Sequence, residues 1–466
     1  MVQSVLIRGC AVVMAAFLLV SCSENADNHA DAVADKAAKI SVPYLDIQEV
    51  TTPKGIAVWY VQDKTIPAFS LQFSVAAGAA SEPQGLDGIG KLLSTLLDEG
   101  AGKRDAEAFQ NEMDQHGVKI GFSSGRDTFS GSLTTTVQYQ DIAVEMFSQA
   151  LSDPHLSNDA IGRMKDALLS DLRFNQMNPQ WVAARTLFET MFAGQSYARP
   201  NGGTEETISR IVRNDLTQYR SSLLCRDNLK IAVAGDVSSD DLARNIDLIF
   251  GGWPACQNRE VVSNMQFENS GKIVQVERQG AQASVLMAQP GVARQDDNWW
   301  AARILDFALG GGQFSSRLMD EVRVKRSLTY GVSSAILSYE YAPVWLVQSG
   351  VSPENADKAM TLIKEIWSDV AQNGLTDNEI KAAKDYLVGS LPLVLTSMGQ
   401  ISSVLLQLQE DGLPKDTLDR RKAEIDAVTA DDIRRVAAQY LHADKMVTII
   451  VGPPVPVSQK TDGVAQ

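Results

Sequence analysis

The apolar and polar positions of this chain change period several times, and the order of the changes is repeated. Residues 55–61 and 68–76 are β-branched and aromatic runs that predict strands, followed by two helical stretches and a strand pair around 122–136. Residues 228–234 (NLKIAVA) have the composition of a buried strand, and 238–250 that of a helix returning from it. The second half repeats the order: strands at 273–276 and 283–288, a helix at 299–309, a helix carrying Arg323, and strands at 330–337 and 344–350. Its closing strand, DKMVTIIVGP at 444–453, echoes NLKIAVAGD at 228–236, and Asp431-Asp432-Ile433 echoes Asn214-Asp215-Leu216, at a constant offset of 217. Further helix starts are marked by Ser352-Pro353-Glu354 and by the capping box Thr376-x-x-Glu379. Strands interleaved with helical pairs and closed by one more strand predict an α+β fold of two homologous domains, each a mainly antiparallel sheet with helices packed on one face. The predicted bounds are 44–258 and 273–455, with a polar linker at 259–272 and a tail at 456–466.

The stretch 309–333, LGGGQFSSRLMDEVRVKRSLTYGVS, holds the densest candidate chemistry. Gly310, Gly311 and Gly312 carry no Cβ, so their backbone N–H groups can approach a ligand closely. The helix after them is expected to bury Phe314, Leu318, Val322 and Met319 on one face and to carry Arg323 near its C-terminal end. Tyr330, seven residues on, opens a strand. A helix end and a strand start can set a guanidinium beside a phenol, donors suited to a peptide carbonyl, a carboxylate or an oxyanion. An ordinary surface arginine and a core tyrosine fit the same pattern.

Composition narrows partners and compartment. Hydrophobic residues at 44% and charged residues at 21% are those of a globular chain, and 466 residues exceed one typical core. A net charge of -15 without a dense basic patch excludes nucleic acid as a partner. At the N-terminus, Arg8 precedes an apolar run at 9–20, too short to span a bilayer and suited to a signal peptide. The run ends in Leu19-Val20-Ser21-Cys22, similar to a bacterial lipoprotein box, which predicts a signal peptide at 1–22 and lipidation of Cys22. Ser23 after it resembles the pattern of lipoproteins sent to the outer membrane, and residues 23–43 have the composition of a flexible tether. That leaves Cys225 and Cys256, which the strand-and-returning-helix path brings near one another, so a disulfide is geometrically plausible in an oxidising compartment. No CxxC and no paired Cys/His cluster points to a structural zinc site.

Several segments together carry a family resemblance: GLDGIGKLLSTLLDEGAG at 85–102, SYARPNGGT at 196–204, NLKIAVAGD at 228–236, FGGWP at 250–254 and the glycine-rich stretch. Over roughly residues 44–455 the chain resembles the pitrilysin/insulinase family of inverted-motif zinc peptidases, and within it the two-domain bacterial members similar to mitochondrial processing peptidase subunits. Active members carry His-x-x-Glu-His, two zinc ligands and a general base. Aligned on Leu96-Leu97-Asp98-Glu99-Gly100, that motif falls on Lys91, Leu92, Leu93, Ser94 and Thr95, none of them a histidine or glutamate. The family's third ligand falls near Ser170 or Asp171. The four histidines, His29, His116, His155 and His442, have no second ligand at a useful spacing and are expected to be solvated on the surface. No P-loop is present, because the Lys-Ser/Thr that completes one is absent.

The resemblance implies a division of labour. In two-subunit members one chain holds the zinc motif, while the other lacks it and supplies an Arg and a Tyr, spaced as Arg323 and Tyr330 are, that contact substrate across a chamber. This chain resembles the second kind. The expectation is a non-catalytic, substrate-binding subunit of a heterodimeric zinc metalloendopeptidase, inactive alone, binding no cofactor itself, with zinc in a partner subunit and a peptide chamber enclosed between them. Arg323, Tyr330, Gly310, Gly311 and Gly312 are then the substrate-binding residues, and a lipid anchor at Cys22 places the chain on the periplasmic face of a membrane. The alternative is a peptide-binding or scaffold protein without hydrolytic activity.

Overall fold

The strand patterns of both halves resolve into sheets of one plan, and that plan sets two strand edges at equivalent places. The computed structural model describes residues 44–256 and 262–455. The signal peptide, Cys22, the tether, residues 259–261 of the linker and the tail at 456–466 lie outside the described residues.

The first half runs β1 (Gln48–Thr51), β2 (Ala57–Gln62), β3 (Ala68–Val75), α1 (Ile89–Ser94), α2 (Ala106–His116), β4 (Lys119–Ser124), β5 (Phe129–Thr136), α3 (Gln140–Ser152), α4 (Asn158–Gln176), α5 (Pro179–Met191), α6 (Glu205–Arg210), α7 (Arg213–Leu223), β6 (Leu229–Gly235) and α8 (Ser239–Phe250). The second runs β7 (Ile273–Glu277), β8 (Ala283–Pro290), α9 (Trp299–Asp306), β9 (Thr329–Leu337), β10 (Val344–Val351), α10 (Ala356–Asn373), α11 (Asp377–Gly389), α12 (Met398–Glu410), α13 (Thr417–Ala427), α14 (Ala430–Tyr440) and β11 (Val447–Gly452). The strand orders are β1-β2-β6-β3-β5-β4 and β7-β11-β8-β10-β9. In each sheet the last strand lies parallel to one neighbour and antiparallel to the other. This is why β6 and β11 are apolar runs without alternation: a central strand is covered on both faces. The remaining pairings are antiparallel, and β4 and β9 occupy equivalent open edges.

Between each sheet and its own helices lies an aromatic core. Phe73 meets Phe147, Phe250 and Trp253 edge-on in the first half, and Trp345 meets Trp367 in the second. The other face of each sheet is covered by a helix from the opposite half. Leu187 and Met191 of α5 pack with Ala288 and Ile449 of the second sheet. Met398, Ile401 and Leu405 of α12 pack on Val61, Ala232 and Ala234 of the first, where Gln72 also donates to the Gly399 carbonyl at 2.9 Å. The helices of each half therefore do line one face of their own sheet, and the exchanged pair closes the second face. By contact, the described residues form one compact unit.

Cys225 and Cys256 are joined by a disulfide, which ties the end of α7 to the segment after Trp253. Two backbone donations, Arg226 N to Pro254 O at 2.9 Å and Cys256 N to Asp227 Oδ2 at 2.7 Å, hold the two segments beside it. Among the described residues no helix is long and apolar enough to cross a membrane.

Candidate functional site

The helix that aligns with the zinc motif is α1, and its surroundings decide what it can bind. It starts at Gly88, whose φ of 91° favours glycine, and its first N–H groups are met by a buried carboxylate. Glu82, only 1% exposed, accepts from Gly88 N at 2.7 Å and from Gly90 N at 2.9 Å. Burial pushes its carboxyl up to about 7, against the pull of those two donors and of Arg199. A Cβ on Gly90 would stand 2.9 Å from that carboxylate and 2.5 Å from Ser124 Oγ, so a larger residue there would force those side chains to shift. Arg199 donates to Asp87 at 2.6 Å and to the Glu82 and Pro83 carbonyls, closing the loop before the helix.

The four degenerate positions do not make a zinc site. Lys91 is exposed and presents an ammonium. Ser94 Oγ donates to the Lys91 carbonyl at 2.8 Å and Thr95 Oγ1 to the Leu92 carbonyl at 2.9 Å, so both hydroxyls are engaged by their own helix. Asp171 is an exposed carboxylate on α4, and Ser170 donates to Asp166 O at 2.8 Å. Zinc needs imidazole, thiolate or several carboxylates around one point, and this set offers one carboxylate and a repelling cation. Among the described residues no group of three or more His, Cys, Asp or Glu is placed to hold a metal ion.

His116 and His155 differ from the expectation of solvated side chains, and His29 lies outside the described residues. His116 is half-buried, with Nδ1 2.8 Å from Glu112 O and its ring against Tyr139, and His155 sets Nε2 2.9 Å from Gly102 O. Backbone carbonyls at turn and helix ends capture them, a partner that residue spacing does not show.

The glycine-rich stretch also departs from the expected open cradle. Residues Phe307–Gly311 form a wide π-helical turn that extends α9, and Gly312 N donates to Phe307 O at 2.8 Å. Gly310 is buried, and a Cβ there would run into the backbone N of Ser334 on β9. A Cβ on Gly312 would lie 2.9 Å from Phe307 O. Gly310 lets the turn press against the sheet and Gly312 lets it close on itself, while Gly311 faces solvent. Beneath them Asp306, with burial pushing its carboxyl up, accepts from Ser334 Oγ at 2.7 Å, Trp345 Nε1 at 3.0 Å and Arg303 at 3.2 Å.

The next helical turn, Met319–Val324, is π-helical as well, a geometry frequent at functional sites. It buries Leu318, Met319 and Val322, but Phe314 precedes the helix in a 3-10 turn and is 70% exposed rather than on the buried face. Its ring lies 5.1 Å below the Arg323 guanidinium, which makes no ion pair among the described residues. Tyr330 is 61% exposed, not a core tyrosine, and the cause is a β-bulge. Gly350 pairs with Gly331 and Val351 with Thr329, so Tyr330 is the extra residue and Thr329 takes the inward place, its hydroxyl 2.7 Å from Ser349 Oγ. Arg323 and Tyr330 thus both reach the surface at the junction of helix and β9, yet the guanidinium stacks on Phe314 and no hydrogen bond joins it to the phenol.

Two further features were not visible as function in the sequence. β4, an open edge strand, lies alongside α1. At its hairpin tip Asp127 accepts from the Tyr197 hydroxyl at 2.6 Å and from Glu340 N at 3.0 Å, while Arg126 donates to Tyr197 O at 2.7 Å, so this turn locks onto the β9–β10 turn of the other half. Burial is the leading cause that raises the pKa values of Asp127 and Tyr197.

Comparison with known proteins places these features. The description "Insulinase (Peptidase family M16)" matches residues 57–205, and "Peptidase M16 inactive domain" matches residues 210–387. The chain belongs to peptidase family M16. Among its M16 relatives, an uncharacterised zinc protease of Streptomyces coelicolor is 26% identical over 87% of this chain and 90% of its own length. The non-peptidase homologue YmxG of Helicobacter pylori is 25% identical over 75% and 80%. The mitochondrial-processing peptidase subunit beta of Lentinula edodes is 22% identical over 86% and 88%. A crystal structure from Pseudomonas fluorescens, described as a peptidase M16 inactive domain, superposes with a TM-score of 0.82 at 25% identity, covering 89% of this chain and 99% of that one. With its motif helix stripped of ligands, this M16 chain is a non-catalytic, peptidase-like protein.

Proposed function

We propose that the chain is the substrate-binding, non-catalytic subunit of a heterodimeric zinc metalloendopeptidase that acts on unstructured peptides in the periplasm. One contrast carries this reading: α1 offers no zinc ligands, whereas Arg323 stands without an ion pair among the described residues, beside exposed Phe314 and near exposed Tyr330. Donors and rings of this kind can hold a peptide carbonyl or carboxylate while a metal in another chain polarises the scissile bond. The open edge of β4 offers an extended peptide a second foothold through main-chain hydrogen bonds. The partner would be an M16 chain with an intact His-x-x-Glu-His, a pairing supported by likeness to a relative named as a peptidase subunit. The lipoprotein-type segment ending at Cys22 supports a lipid anchor at the outer membrane, and a disulfide suits that oxidising side. The domain bounds in this reading stay at 44–258 and 273–455.

The test is co-expression with an intact-motif M16 partner, followed by zinc analysis and cleavage of quenched unstructured peptides. This chain alone is expected to carry no zinc and to cleave nothing, and the mixture to cleave. Arg323→Ala or Tyr330→Phe should then remove about 2 to 4 kcal/mol of transition-state stabilisation. Full activity of the partner without this chain, or indifference to both substitutions, would sink the proposal. Peptide binding without cleavage in any mixture would favour the alternative, a peptide-binding or scaffold protein.

A further inference from the structure

The segment SYARPNGGT does more than close a loop. Ala198, Arg199, Pro200 and Asn201 form one wall of a cavity of about 210 Å³, completed by α5, Arg126 and Tyr339. Its lining carries three guanidiniums, from Arg126, Arg185 and Arg199, and no carboxylate, and its flat surfaces are the rings of Trp181, Phe188 and Tyr339.

The three cations are not equally satisfied. Arg199 is paired with Asp87 and held by two carbonyls. Arg185 lies 5.4 Å from the Trp181 ring and pairs with Glu189 along the helix surface. Both side chains are largely buried, at 24% and 25% exposed for Arg185 and Arg199. Arg126 makes no ion pair among the described residues; its guanidinium lies 3.9 Å from the Phe188 ring centre, donates to Tyr197 O and leaves Nε without an acceptor. The adjacent Asp127 is taken by Tyr197 and Glu340 N. Burial lowers the pKa of Arg126, against the pull of Tyr339, Tyr197 and Asp127. On its other side a second cavity of about 280 Å³ contains Glu410 and Asp411, of which Asp411 already faces Arg294 at 3.7 Å. Burying a cation without an anion is costly, and a ligand that brings one removes the cost.

We propose that this cavity binds the oxyanion of a small ligand, a carboxylate or a phosphate, between Arg126 and Arg185, with the rest of the ligand against the aromatic wall. Guanidinium forks and rings together recognise an anion attached to a flat or apolar group. The site needs neither Arg323 nor a partner chain, so it stands apart from the subunit reading above.

Calorimetric titration of the full chain tests it, with three probes: inorganic phosphate, a short peptide ending in phenylalanine with a free carboxylate, and the same peptide as its C-terminal amide. Saturable binding of phosphate or of the acid peptide is expected, and whichever binds identifies the source of the oxyanion. Arg126→Gln, checked for an unchanged far-UV spectrum, should weaken it about tenfold or more, as the loss of a charge-assisted contact does. Should that variant not fold, Arg185→Gln, whose ion pair lies on the helix surface, should weaken binding by about threefold or more. No saturable binding of either oxyanion probe overturns the proposal. So does an amide that binds as tightly as the acid, or affinities unchanged in a folded variant.

Discussion

Glu82 shows how one buried side chain can couple the silent motif helix to pH. Its folded value of about 7 lies above the ordinary 4.5, because burial penalises the charge more than two backbone donors and Arg199 favour it. Between those values the folded chain holds a proton that the unfolded chain has released. The stability from this group is therefore complete below 4.5 and is lost as pH rises through 7. Glu82→Gln keeps the shape and cannot ionise, so its melting temperature should fall less than that of the parent between about pH 5 and about pH 8. Parallel pH profiles of the two proteins would refute the assignment. Nothing in the pattern around Glu82 announced it: a Glu before Pro83 and Gln84 looks like a surface turn, and only the returning Arg199 and the start of α1 bury it.

At the scale of elements, much was legible wherever a period was sustained. The duplicated strand plan followed from alternation and from the unbroken apolar runs of β6 and β11, and Thr376-x-x-Glu379 forms the capping box its spacing indicates. What escaped was set by neighbours distant in sequence. By period two, Tyr330 shares a face with the buried Val332 and Ile336, and a single unpaired residue at the β9–β10 register shift turns it outward. The glycines were legible as a need for closeness, but not which surface came close. For Gly310 that surface is β9, so Gly310→Ala should overpack the π-helical turn and cost about 1 to 3 kcal/mol in denaturant unfolding. A variant as stable as the parent would return Gly310 to the role of an open cradle.

For the whole molecule, the exchange of α5 and α12 means that neither sheet is covered by its own half alone. Expressed separately, residues 44–258 and 262–455 should each expose a contiguous apolar face and precipitate or associate. Co-expressed, with a tag on one, they should purify as a complex. Two fragments that are each soluble, monomeric and cooperatively folded would show that the exchange is dispensable. The separate appearance of the two halves in the sequence comes from their duplication, which repeats strands and helices but does not record which copy covers which sheet.

The central position of β6 has a consequence in time. As the chain emerges in order, β2 and β3 exist early, yet the place between them stays empty until residues 229–235 arrive, and the outer face of that sheet waits for Met398 to Leu406. The same holds between β7 and β8, which are joined only by the last strand. Strand closure of the second sheet and covering of the first are therefore events of the nearly finished polypeptide, with high contact order and slow pairing built into the plan. A chain of this design carries open strand edges through much of its synthesis and depends on its final quarter to seal the second sheet and cover the first.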